Sequence, residues 1–119
     1  MPSRRSPRFY FDDILTAIAD IRQFTNGINS SEDLARDRKT LHAVFRNLEV
    51  IGEACRQMPR KIKTDYPQID WRRIGDMRNI ITHEYFGVDV EIAWRVIQKD
   101  LPVLERQIRE IYDNIPDKF

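Results

Sequence analysis

The sequence has little with which to staple a fold, hold a metal or cross a membrane. Its one cysteine, Cys55, leaves no partner for an internal disulfide and no basis for a cysteine zinc site. Four glycines and six prolines are too few turn residues for a sandwich of many short strands. No run of about 18 apolar residues offers a membrane span. The opening stretch Met1–Arg8 is basic and polar without an apolar centre, so it is not read as a secretory signal, and the chain is expected to be cytoplasmic. Histidine is limited to His42 and His83. His83-Glu84 is not followed by a second histidine at metalloprotease spacing, and neither a Gly-rich phosphate loop nor a nucleophile elbow occurs. No metal and no cofactor is expected.

What is present suits a small helical domain. The chain has 119 residues, 41% hydrophobic and 33% charged, which is too apolar for disorder and long enough for one core. The expected organisation is a flexible segment over 1–8, one helical domain over 9–115 and a tail over 116–119. Net charge is only +1, but it is unevenly spread. Residues 1–55 balance eight basic against eight acidic side chains. Residues 56–78 hold seven basic and three acidic, and residues 79–119 hold five basic and eight acidic. A local basic patch attracts phosphates even in a near-neutral protein. A solvated helix face is the plainer explanation of the same charges.

Apolar residues recur at helical spacing along the chain. Phe11, Ile14, Leu15, Ile18, Ile21 and Phe24 share one face of a helix expected over Phe9–Thr25, stopped by Asn26-Gly27. Ser30 offers an N-cap with an acid three residues on, opening a block that runs to Met58 with a break near Arg36–Arg38. Leu41, Val44, Phe45, Leu48, Cys55 and Met58 form its buried stripe, with Ile51 at the margin. His42, Arg46, Glu49 and Glu53 form a separate polar stripe. Gly52 sits in the apolar stripe, where a missing side chain allows another helix to approach. Pro59 and Pro67 bracket a connector with room for one helical turn. Asp70 caps a helix over Trp71–Tyr85, closed by Phe86-Gly87, and Asp89 caps the last helix, which Pro102 is expected to kink or divide. No stretch alternates with period two. The fold class is therefore all-α, an antiparallel bundle of four to five helices.

Polar chemistry concentrates in the helix after Asp70. On an ideal helix Arg72, Asp76, Asn79 and His83 fall within a sector of about 60°, while Arg78 and Tyr85 share another face with Trp71 and Ile74. Arg78 and His83 are about 140° apart around the axis and about 7.5 Å apart along it. One straight helix does not let them grip the same phosphate; a loosened helix, or a cleft shared by two copies, does. Taken singly, His83 reads as a surface residue, Arg78 as an ion-pair partner and Tyr85 as core packing. Cys55, on the apolar stripe, reads as a small core residue.

The run Arg78-Asn79-Ile80-Ile81-Thr82-His83-Glu84-Tyr85 fits the Arg-x4-His-x-Tyr motif of HEPN-domain proteins, and the chain resembles the HepT-like toxins among them. Ile51-Gly52-Glu53-Ala54, Asp70-Trp71, Tyr85-Phe86-Gly87-Val88-Asp89 and Trp94 with Asp100-Leu101-Pro102 extend the likeness over roughly residues 8–112. The resemblance implies a HEPN-like homodimer whose motif helices meet at the two-fold axis, bringing Arg78 and His83 of both copies to one cleft. It also implies a metal-independent endoribonuclease, the toxin half of a toxin–antitoxin pair. Its partners would be RNA and a small nucleotidyltransferase antitoxin that, in one branch, adds AMP to the motif tyrosine, here Tyr85.

These implied roles make chemical sense. Imidazole titrates near neutrality, so His83 suits proton transfer, and the planar fork of Arg78 suits the scissile phosphate. Asn79 would orient one or the other, and Glu53 would pair with Arg78. Arg60, Lys61, Lys63, Arg72 and Arg73 would guide the RNA backbone. The rival expectation is a non-catalytic HEPN module that dimerises or binds a nucleotide or RNA.

Overall fold

The structure, a computed structural model, describes residues 6–77 and 88–115, and these are helical and strand-free. Helix α1 spans Pro7–Phe24, beginning two residues earlier than the apolar spacing suggests because Pro7 occupies its first turn, where a missing N–H is harmless. Its last carbonyls are closed by Thr25, whose backbone N–H and Oγ1 both donate to the Ile21 carbonyl. Gly27 then takes a left-handed φ of 90°, which glycine adopts without steric cost.

The break near Arg36–Arg38 falls at Asp37. It separates α2, Ser31–Arg36, from α3, Arg38–Gln57. Each helix starts with a side-chain cap: Ser30 Oγ accepts from the Asp33 N–H at 3.1 Å, and Asp37 Oδ1 accepts from the Thr40 N–H at 3.1 Å. Helix α4, Arg60–Asp65, is the single helical turn expected between the two prolines. Helix α5 spans Trp71–Gly75, with Asp70 accepting from the Arg73 N–H as its cap, and it stops in a turn at Asp76, short of the Tyr85 end that the sequence suggests.

Helix α6, Val88–Arg95, and α7, Leu101–Ile111, form the last long rod. Between them Val96–Asp100 makes a π turn in which the Leu101 N–H donates to the Val96 carbonyl. Pro102, with no N–H of its own, follows directly, so the proline divides the helix through a widened turn and the backbone stays in the helical region on either side.

The core lies where α1 crosses α3 and where α7 closes over them. Phe11, Ile14, Ile18, Leu48, Leu104 and Ile108 are all fully buried there. Two details depart from the sequence reading. Ile51, placed at the margin of its stripe, is fully buried, whereas Phe45 is only half-buried. Helix α5 packs on α3 beside this stretch: a Cβ added to Gly75 would stand 4.0 Å from the Gly52 carbonyl oxygen, an ordinary contact.

Candidate functional site

Four of the residues singled out for chemistry, Arg78, Asn79, His83 and Tyr85, lie outside the described residues. The elements that lead into and out of that stretch are described. Helix α5 is held on three sides. Trp71 packs edge-on against Phe11, with ring centroids 6.1 Å apart, and its indole N–H donates to the Tyr66 carbonyl at 3.0 Å. Arg73 reaches Asp100 in the π turn at 3.1 Å. Gln107 on α7 donates to the Gln68 carbonyl at 3.0 Å, fixing the loop that precedes α5.

The basic residues of 56–73 separate into different surroundings. Arg73 is occupied by Asp100, and Lys61 approaches Asp65 at 3.5 Å within α4. Arg60 is exposed on α4. Lys63 and Arg72 line a cavity of about 450 Å³ together with Arg56, Trp71, Gly75 and Asp76. Arg72 and Asp76, predicted to share one helix face, therefore do open onto the same space. Lys63 Nζ donates to the Arg56 carbonyl at 3.2 Å, joining the end of α3 to α4. Arg56 runs across Gly75, where a Cβ would stand only 3.0 Å from its Cγ. Among the described residues neither Arg56 nor Arg72 forms an ion pair. The sequence reading counted Arg56 in the basic segment but did not single it out. The signal that would have found it is Gly75, which clears a path for its side chain.

Glu53 lies on α3 and accepts from Gln57 Nε2 at 3.0 Å. It lines a second cavity, of about 400 Å³, with Tyr10, Asp13, Arg46, Glu49 and Gln57. Within this polar stripe Arg46 pairs with Glu49 at 2.6 Å, and His42 is exposed. Arg78, the partner expected for Glu53, lies outside the described residues. Cys55 is buried, and that burial pushes its thiol up to about 12, with the nearby Lys63 charge opposing; it is a core residue and no nucleophile at neutral pH. Among the described residues no three His, Cys, Asp or Glu side chains converge as metal ligands. No helix among them is long and apolar enough to cross a membrane.

Residues 14–111 match the family described as ribonuclease HepT-like. The chain belongs to that family. This HepT-like chain is 41% identical over 108 residues to a Thermococcus cleftensis protein named "Probable ribonuclease HepT", covering 91% of itself and 97% of that protein. A Caldanaerobacter subterraneus protein named as a "Putative RNase" is 37% identical over 107 residues, with 90% and 95% of the two chains covered. One of the same description from Methanocaldococcus jannaschii is 38% identical over 112 residues, covering 94% and 92%. No solved structure matches the HepT-like chain.

Proposed function

We propose that this chain is an endoribonuclease that cuts RNA without a metal, using Arg78 and His83 brought together in a homodimer. The observation that carries the reading is the family match over residues 14–111, which spans an intact Arg78-x4-His83-x-Tyr85. RNA brings its own nucleophile, so the demands on the protein are proton transfer and charge stabilisation. The 2′-oxygen attacks phosphorus as its proton passes to a base. The bond from phosphorus to the 5′-oxygen then breaks, and that oxygen takes up a proton. The products are a 2′,3′-cyclic phosphate and a 5′-hydroxyl. His83 moves one of these protons, and Arg78 holds the phosphate and the extra charge of the transition state. Asn79 orients the imidazole or the phosphate, and Glu53 steadies the Arg78 fork. The basic stretch with Arg60, Lys61, Lys63, Arg72 and Arg73 guides the strand.

In the cell the enzyme is the toxin of a toxin–antitoxin pair, acting in the cytoplasm. Its partner is a small nucleotidyltransferase that silences it by adding AMP to Tyr85, placing bulk and negative charge beside the cleft.

The test compares wild type, Arg78→Ala and His83→Ala on RNA in the presence of EDTA. Wild type is expected to cut, leaving cyclic-phosphate ends, and each variant to lose about 100-fold or more in rate. Equal cleavage by all three, or cleavage abolished by EDTA, overturns the mechanism. If no form cuts RNA, the chain is a non-catalytic binding module. Tyr85→Phe is expected to escape its antitoxin; full control of that variant in cells removes the tyrosine from the regulatory role.

A further inference from the structure

The cavity between the end of α3, α4 and α5 has a composition unlike a plain solvated face. Three cations, Arg56, Lys63 and Arg72, converge on about 450 Å³ of space, within the range of about 300–1,000 Å³ usual for small-ligand sites. Trp71 is buried and gives the space a rigid wall. Two of the cations are exposed without an acidic partner among the described residues, while Lys63 is half-buried and anchored on the Arg56 carbonyl. Among the described residues that line it, the one carboxylate is Asp76. A pocket for phosphate alone gains nothing from a carboxylate, which accepts hydrogen bonds and repels anions. A ribose phosphate presents both an anion and hydroxyl donors.

We infer that the Arg56–Lys63–Arg72 cavity is a ribonucleotide subsite for the strand flanking the cleavage point, in which the cations hold a backbone phosphate and Asp76 accepts a hydrogen bond from a 2′-hydroxyl. This rests on the RNA-cleaving reading above and adds to it a means of telling RNA from DNA. Position supports it. Chain connectivity keeps residue 78 within about 11 Å of Gly75, a distance of about three stacked nucleotide steps. Arg73 plays no part in the subsite, because Asp100 occupies it. Gly75 is needed so that the Arg56 stem can cross α5 into the cavity.

The experiment measures binding of a short single-stranded RNA, and of DNA of the same sequence, to the full chain across a salt series. All proteins carry His83→Ala, and strand integrity is checked on a gel. Arg56→Ala and Arg72→Ala are each expected to weaken RNA binding several-fold and to lower the salt slope by about 0.7. Arg56→Lys, which keeps the charge and the stem over Gly75, retains the slope, so a fall in Arg56→Ala cannot be put down to misfolding. Arg36→Ala, far away on α2, changes neither quantity. Asp76→Ala is expected to shrink the preference for RNA over DNA by roughly tenfold, because the acceptor for the 2′-hydroxyl, which DNA lacks, is lost. Unchanged slopes in Arg56→Ala and Arg72→Ala, or an unchanged RNA-to-DNA ratio in Asp76→Ala, overturn the subsite. AMP competing as strongly as the RNA strand overturns it too, in favour of a mononucleotide site. A parallel cleavage assay with His83 intact separates the two claims. RNA bound through these groups but never cut sinks the nuclease reading and keeps the subsite; RNA cut with the three cations dispensable sinks the subsite alone.

Discussion

Cys55 shows what one position in the core does to chemistry. Its thiol is fully buried, and burial disfavours the thiolate, raising its titration to about 12. Since folding raises this value, the stabilisation is complete below the ordinary thiol range and is lost as pH climbs from there towards 12. A thiol reagent at pH 8 is therefore expected to modify native protein only as fast as the chain opens, and at full speed in denaturant; rapid labelling of native protein contradicts the burial. The helical period of the sequence already pointed to this placement. The period alone was less able to rank Ile51 and Phe45, because it records which side of α3 faces inward and not how far α5 extends the cover.

Among the elements, α5 matters most, because it delivers the chain to Arg78. Five residues make a helix too short to persist alone, so neighbours must hold it. Trp71 ties it to α1 and the loop before it, Gly75 lies under the Arg56 side chain of α3, and Arg73 ties it to the π turn. The Arg73–Asp100 pair is partly exposed, and a double-mutant cycle of Arg73→Ala with Asp100→Asn is expected to show coupling of about 0.2–1 kcal/mol in stability. Zero coupling in chemical denaturation removes this tie. The caps Ser30 and Asp70 were legible from residue type and spacing, since each needs only an oxygen placed just ahead of a helical run, whereas the Asp37 cap was legible only as a break near Arg36–Arg38. The π turn was not. Proline at 102 announces that a hydrogen bond is missing, and only the packing of both halves of the rod decides whether the helix bends, breaks or widens.

Across the whole molecule, contacts between distant parts of the chain close the bundle. Glu105 on α7 receives Arg22 of α1 at 2.7 Å and Arg109 at 3.2 Å. The Arg22 hydrogen bond first, then Arg109 and the charges of both, hold the Glu105 carboxyl below its ordinary range against the effect of burial. Its stabilisation is present above the ordinary carboxylate range and fades as pH falls through the lowered value. Glu105→Gln should therefore lower the unfolding free energy slightly at pH 7, by less than about 1 kcal/mol, and converge with wild type in acid. An equal gap at acid and neutral pH assigns the effect to packing instead. At the opposite end of α1, Tyr112 donates to Asp12 at 2.5 Å and the Arg8 guanidinium stands 5.1 Å from the Tyr112 ring centroid, joining the first helix of the chain to its last turn.

The sequence by itself determined the all-helical class, the caps at Ser30 and Asp70, most of the inward faces and the membership of the family, because these depend on residue type at short spacing. It also supplied the basic segment as a list of charges. Only the tertiary structure decided which of those charges act together: Arg73 pairs with Asp100 of the π turn, while Arg56, Lys63 and Arg72 arrive from three different helices at one cavity. Spacing along a chain says nothing of that convergence. It follows from α5 packing against α3 and from Lys63 of α4 bonding back to the end of α3, which is a property of the packed elements and of no helix alone.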